Sequence, residues 1–240
     1  MKVKFIGSGD AFGSGGRLQP CILITEEEHT FTLDLGLTAL IGLRQQGIDP
    51  NSIDTVLLSH LHGDHCGGLP FLLMDAMLGS KRESPLTIIG PEGIEAHMRT
   101  MQESLFPGSH IMKPKFTVEY FEINPEQSIQ LGKYKITAAD ARHTAATNPL
   151  ALKIDTGRKT IAYTGDGELT ESLIDFTYEA DLLITECYYF DKAVKWHLNY
   201  PDIGHLKARK TILTHMHDNM LTHIDEVPDI CAYDGMEMDI

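Results

Sequence analysis

The chain has 240 residues, 42% of them apolar, and 34 acidic side chains against 20 basic ones give it a net charge of −14. That length and apolar fraction predict one folded domain over residues 1–240 with a sizeable core. The charge disfavours a partner gripped along many phosphates, so extended nucleic acid is not expected. No stretch approaches the ~18 apolar residues of a membrane span, so no membrane contact is expected either.

Lys2 to Ile6 and Cys21 to Thr25 read as early strands, joined by a glycine-rich loop from Gly7 to Gly16. The opening run is too short for a secretory signal, and the loop lacks P-loop spacing. A short helix is predicted from Leu37 to Gln46, stopped by Gly47. Val56, Leu57 and Leu58 read as a buried strand that runs into His60-Leu61-His62-Gly63-Asp64-His65. Three imidazoles and a carboxylate within six residues are a borderline ligand set suited to zinc, iron or manganese. If the backbone stays extended, His60 and His62 project the same way, and Gly63 then permits a bend toward Asp64 and His65. Cys66 is not expected to be a ligand, because Gly67-Gly68 turns the backbone away. Phe71 to Leu78, opened by Pro70 and closed by Gly79, reads as a helix.

Pro91 to Phe106 reads as a longer helix with Ile94, Met98, Met101 and Leu105 on one packing face. Four more apolar segments end in chemistry-bearing groups. Tyr134 to Ala139 leads to His143, Thr160 to Tyr163 leads to Asp166, Asp181 to Ile184 leads to Glu186, and Thr211 to Thr214 ends in His215. Binding groups gather at one end of the strands in sheets packed under helices, and His, Asp and His recur at that end here. A short helix is expected from Leu169 to Phe176, and the tail, with Met236, Met238 and Ile240 alternating, reads as an edge strand. The four cysteines show no paired spacing, which fits a reduced, cytoplasmic setting. His29, His97, His110, His205 and His223 have no motif around them; His217, two residues past His215, could face the site but is expected to be structural.

On these residues the chain resembles the metallo-β-lactamase superfamily over nearly its full length. Asp34 in Phe31-Thr32-Leu33-Asp34-Leu35-Gly36, then the His60–His65 cluster, His143, Asp166 and His215 appear in the superfamily's order. The resemblance implies an α/β (α+β) fold, the four-layer αββα metallo-β-lactamase sandwich, with two divalent metal ions. Zinc is favoured, and manganese and iron also fit. It implies that His60, His62 and His143 hold one ion, that Asp64, His65 and His215 hold the other, and that Asp166 bridges them. Asp34 would brace the ligand loop from behind. Water between two ions ~3.5–4 Å apart is deprotonated near neutral pH, which suits hydrolysis of phosphodiesters, lactones, thioesters or amides.

Within the superfamily, Thr185-Glu186-Cys187 and His197-Leu198-Asn199-Tyr200 are similar to paired motifs of ribonuclease Z and the smaller cyclic phosphodiesterases. There a glutamate at the position of Glu186 orients a histidine at the position of His197 toward the phosphate. Asp64, Glu186 and His197 are therefore the candidate catalytic residues. Two positions depart from ribonuclease Z: Thr185 stands where a His is usual, and Leu198 where a Ser or Thr is usual. The opening Gly7-Ser8-Gly9-Asp10-Ala11-Phe12-Gly13 with Arg17 is similar to the ribonuclease Z-like start. The tRNA-binding arm of that enzyme lies between the third and fourth motifs, and residues 144–165 leave no room for it. The expectation is a phosphodiesterase for a small or cyclic phosphodiester, with a homodimer implied by resemblance. The alternatives are a lactonase or thioesterase with an acyl pocket from Met74, Met77 and Phe106, and a tRNA 3′-processing endonuclease lacking the arm.

Overall fold

The structure is a computed structural model describing residues 1–240. Two seven-stranded sheets face each other. The first takes β1 (Lys2–Gly7), β2 (Cys21–Glu26), β3 (His29–Leu33), β4 (Thr55–Leu57), β5 (Leu86–Gly90) and β6 (Val118–Glu122). The second takes β7 (Ser128–Leu131), β8 (Tyr134–Asp140), β9 (Leu150–Asp155), β10 (Thr160–Tyr163), β11 (Leu182–Glu186), β12 (Thr211–Thr214) and β13 (Ile230–Cys231). The tail then returns as β14 (Glu237–Asp239), so the first sheet runs β14-β1-β2-β3-β4-β5-β6 and the second β13-β12-β11-β10-β9-β8-β7. The predicted edge strand is thus real: Val3 pairs with Met238, antiparallel to β1.

Alternation along the strands builds three apolar layers. Val3, Phe5, Ile22, Ile24, Phe31 and Leu33 of the first sheet meet Ile136, Leu152, Ile154 and Ile184 of the second. The opposite faces carry Leu23, Val56 and Ile88 onto α1 (Ala39–Gln45), α3 (Leu69–Leu78) and α4 (Ile94–Leu105). A four-residue turn, α2 (Gly63–Cys66), precedes α3. On the far side α5 (Glu171–Thr177) packs through Leu173, while α6 (Tyr200–Ile203) and α7 (Asp218–Leu221) pack through Ile203 and Met220. This is the expected αββα sandwich. Strands buried on both faces read as continuous apolar runs, which is why β4, β11 and β12 were visible in the sequence.

Several local expectations change. Gly63 makes its bend as part of a helical turn. It begins α2, and His62 stays extended at φ −73, ψ 149 as the residue before it. The helix predicted from Pro91 starts at Ile94, because Gly93 sits at φ 84, a left-handed conformation that a helix cannot run through. Leu105, expected on its packing face, is 43% exposed. The helix predicted from Leu37 starts at Ala39, and that from Leu169 starts at Glu171 behind a Thr170 cap. β3, β5, β6 and β7 had no separate signal; β6 and β7 are short, alternate half-buried apolar or aromatic residues with exposed ones, and lie at sheet margins.

The topology puts one end of both sheets in register. β3 and β4 are parallel neighbours in the first sheet, and β10, β11 and β12 are parallel in the second. Their C-terminal ends deliver Asp34, Ser59-His60, Asp166, Glu186 and His215 to one edge, the usual place for a site in such sheets. Gly165 brings the halves together. It sits at φ 58, and a Cβ there would lie 2.8 Å from the Ser59 Cβ and 3.0 Å from the Leu150 carbonyl oxygen. Only glycine lets the loop after β10 come this close to the ligand loop after β4.

Candidate metal centre

The seven ligand candidates converge into two adjoining clusters. His60, His62 and His143 form one, and Asp64, His65, Asp166 and His215 the other, with ligand atoms within 4.8 Å of one another in each. In the first, His62 Nδ1 lies 3.0 Å from His60 Nε2 and 3.1 Å from His143 Nε2. In the second, His65 Nε2 lies 3.1 Å from Asp64 Oδ2 and 3.4 Å from Asp166 Oδ1, and His215 Nε2 lies 3.3 Å from Asp64 Oδ2. Asp166 stands between the clusters. Its Oδ2 is 3.7 Å from His215 Nε2 and 4.0 Å from His143 Nε2.

Hydrogen bonds behind the ligands decide which ring nitrogen faces inward. Asp34 accepts four: from the Ser59 amide (2.7 Å) and hydroxyl (2.9 Å), from His65 Nδ1 (2.7 Å) and from the Tyr163 hydroxyl (2.7 Å). Because the Ser59 hydroxyl spends its proton on Asp34, it accepts from His60 Nδ1 at 3.0 Å. His143 Nδ1 donates to the Trp196 carbonyl at 2.7 Å. So His60, His65 and His143 each carry a proton on Nδ1 and aim the Nε2 lone pair into the site. Asp34 and His215 hold left-handed backbone, φ 56 and 54, a strain that persists where surrounding bonds over-determine it.

The donors fit divalent ions. Three imidazole lone pairs meet about 3 Å apart, near the spacing of neighbouring ligands on one ion with metal–nitrogen bonds of ~2.0–2.1 Å. His65 Nε2 and Asp166 Oδ1 are buried with no hydrogen-bond partner, a cost that a cation removes. Burial, with His65 nearby, holds His60 well below the ordinary imidazole range, and burial lowers His143 too, so both are neutral as ligation requires. Burial opposes ionisation of Asp64, yet His65 and His215, which burial would lower but Asp166 and Asp64 raise, outweigh it with a positive charge that a bound cation would replace. Cys66 is buried and its thiol is pushed up to about 12, first by burial; it joins neither cluster. His217 instead accepts from the Asn219 amide at the start of α7 and stacks on Tyr189, with ring centroids 4.4 Å apart.

Glu186 and His197 meet as expected. His197 Nδ1 is 2.8 Å from Glu186 Oε2 and 3.8 Å from Asp166 Oδ2. Glu186 Oε1 accepts from the Gly167 and Leu198 amides at 2.6 and 3.0 Å, so one buried carboxylate holds the loops after β10 and β11. Burial pushes the Glu186 carboxyl up, and the Asp166 charge adds to it. Burial alone would lower His197, but the Glu186 carboxylate outweighs it and raises the imidazole above its usual range. Tyr188 lies against the imidazole face, centroids 4.4 Å apart at 25°.

The opening loop also reaches the site. Asp10, fully buried, accepts from the Phe12 and Ser14 amides, and the Ser8 carbonyl accepts from the His215 amide at 3.1 Å. Arg17 instead donates to the Ala232 carbonyl and ties down the tail. Tyr163, Ser59, Tyr188 and Trp196 had no signal of their own in the sequence, because their roles come from partners distant in the chain. For Tyr163 and Ser59 the one available sign was a polar atom next to a predicted ligand strand.

A profile of the Anti-Pycsar protein Apyc1 family matches residues 1–230. The chain belongs to that family. It is 27% identical over 235 residues to the probable metallo-hydrolase YhfI of Bacillus subtilis, covering 92% of this chain and 91% of YhfI. The crystal structure of YhfI superposes with a TM-score of 0.80 at 24% identity over 99% of both chains. Ribonuclease Z of Pyrococcus abyssi is 26% identical over 238 residues, covering 80% of this chain and 76% of that enzyme. A diphosphatase of the PhnP family shares the fold at a TM-score of 0.79 and 17% identity, over 100% of this chain and 97% of that one. The chain is thus a metallo-β-lactamase-fold protein of the ribonuclease Z-like branch, of metallohydrolase type. No helix is long and apolar enough to cross a membrane.

Asp34 offers a direct test of the ligand bracing. The Asp34→Asn change keeps a side chain that tolerates left-handed backbone but removes the charge that holds His65 and Ser59. Metal affinity is expected to fall ~10–100-fold, measured by chelator competition. Unchanged affinity would show that Asp34 does not brace the ligands.

Proposed function

We propose that the protein is a binuclear metallophosphodiesterase acting on a small or cyclic phosphodiester, such as a cyclic nucleotide or cyclic sugar phosphate. The Glu186–His197 pair carries this reading, because it adds an oriented proton donor beside Asp166, at the shared edge of the two clusters. His60, His62 and His143 would hold one divalent ion, and Asp64, His65 and His215 the other, with Asp166 shared; zinc suits the donors best. The chemistry such a pair of ions would supply, when bound there, is activation of water and neutralisation of phosphoryl charge.

The chain's own residues do the rest. Glu186 holds the proton on His197 Nδ1 and stabilises the imidazolium. The Nε2–H of that imidazolium can donate to a phosphoryl oxygen or to the departing alkoxide. Tyr188 stacked on the ring keeps its plane fixed.

Two observations favour a small substrate. Between His143 and Asp166 the chain has only a short 3₁₀ turn, β9, a tight turn and β10, with no projecting arm. The net charge of −14 suits a compact ligand better than a long polyanion. An acyl hydrolase is supported less. Met77 lines a groove with Leu73, Met112, Phe116 and Tyr120 that contains none of the clustered ligands. Met74 and Phe106 are engaged with Gln102 and Phe71.

The test is turnover of bis(p-nitrophenyl) phosphate against a lactone and thioester panel, with protein reconstituted with zinc or manganese. Diester cleavage with weak acyl hydrolysis is expected. Acyl hydrolysis without diester cleavage would overturn the proposal and make Glu186–His197 a structural pair.

A further inference from the structure

His60, His65 and His143 are each aimed by a hydrogen bond at Nδ1. His215 is not. Its Nδ1 is buried with no hydrogen-bond partner, and Glu186 Oε2 stands 3.7 Å away, beyond hydrogen-bond reach. The aim of His215 therefore rests on its backbone, which is left-handed at φ 54 and needs its surroundings to hold it there. The His215 amide donates to the Ser8 carbonyl at 3.1 Å, and the Thr214 hydroxyl donates to the same oxygen at 3.2 Å.

Ser8 is itself held from the tail. Asp234 Oδ1 accepts from the Ser8 amide at 2.9 Å and from the Ser8 hydroxyl at 2.8 Å, while Oδ2 accepts from the Leu18 amide at 2.7 Å. One carboxylate thus clamps both stems of the opening loop. The stems are pressed together, for a Cβ on Gly9 would lie 2.8 Å from the Arg17 Cβ and 2.9 Å from the Leu18 carbonyl oxygen. Asp234 lies where the chain crosses from β13 in the second sheet to β14 in the first. The crossing is anchored on both sides: the Ala232 amide donates to the Leu213 carbonyl of β12 at 2.8 Å, and the Gly235 amide to the Phe5 carbonyl of β1 at 2.7 Å. The second ligand cluster straddles the same two sheets. Asp64 and His65 follow β4 of the first, and Asp166 and His215 follow β10 and β12 of the second.

We propose that Asp234 is a positioning residue for the metal centre: through Ser8 it holds the His215 backbone where Nε2 meets Asp64 and Asp166. This rests on the two-ion reading above. Asp234 touches neither ion nor substrate, and it lies beyond residues 1–230, the segment that the family profile matches.

The test measures both zinc affinities of the full chain by stepwise chelator competition, together with hydrogen exchange of the His215 amide. In Asp234→Ala, one of the two affinities is expected to fall about tenfold, the lower end of the range for groups behind a ligand, with the other unchanged. The His215 amide should exchange faster. Asp234→Asn keeps one acceptor oxygen for two stems and should fall between. Glu237→Ala loosens the same tail, where Glu237 pairs with Lys2 and Lys4, without touching Ser8, and should leave both affinities unchanged. If Asp234→Ala keeps both affinities, the positioning role falls and the two-ion reading stands. If both affinities fall together and exchange quickens along the whole chain, Asp234 only supports the fold and the proposal is overturned. If the wild-type protein binds fewer than two ions, the two-ion reading falls and takes the proposal with it. Should Asp234→Ala fail to fold, Asp234→Asn decides on the same readouts.

Discussion

Replacing Asp166 with alanine is expected to strip the protein of at least one of the two metal ions proposed for the centre. Asp166 is the one carboxylate whose two oxygens reach donors of both clusters: Oδ1 is 3.4 Å from His65 Nε2, and Oδ2 is 3.7 and 4.0 Å from His215 and His143 Nε2. It is almost fully buried, so no water can easily take its place. Changes behind a metal ligand typically weaken affinity ~10–100-fold, and loss of a shared ligand should exceed that. The second cluster would keep only Asp64 as an anion among His65 and His215. Metal content after dialysis, measured by emission spectrometry on protein with an unchanged circular dichroism spectrum, is the readout. Retention of both ions would contradict a bridging Asp166.

Replacing His197 with alanine should separate chemistry from metal binding. Diester turnover is expected to fall by ~10²-fold or more, the usual contribution of a positioned general acid. Metal content should stay the same, because His197 Nδ1 is committed to Glu186 at 2.8 Å and belongs to neither of the two proposed ligand sets. The fold should also survive, since Glu186 keeps its bonds to the Gly167 and Leu198 amides. A variant with full turnover would remove His197 from the mechanism. A variant that loses metal would instead make His197 a ligand of the third grouping, Asp166, Glu186, His197 and His215, which also lies within ligand distance.

The candidate centre was far more legible in the sequence than the sheets around it. His60, His62, Asp64 and His65 fall within six residues after a buried strand, so their meeting needs only local geometry. His143, Asp166, Glu186 and His215 each follow a run of apolar residues, and strands of one direction in a sheet end on the same side. β6 and β7, with half-buried apolar residues alternating with exposed ones, have no such run, and their pairing depends on partners elsewhere in the chain. The bend expected at Gly63 became the first turn of α2, because Asp34 and Leu35 receive His65 through bonds no local pattern encodes.

By itself the sequence determined which side chains can ligate metal, that each sits at a strand end, and that a carboxylate and an imidazole are available as an acid–base pair. Those follow from residue chemistry and from periodicities of a few residues. Tertiary structure alone decided which nitrogen each histidine turns inward, because the deciding acceptors are distant: Asp34 for His65, Trp196 for His143. It also decided that the two halves touch at Gly165, and that Trp196 is held strained and exposed beside the centre. Contacts across 31 or 53 residues are set by how two sheets pack, which no short window of sequence contains.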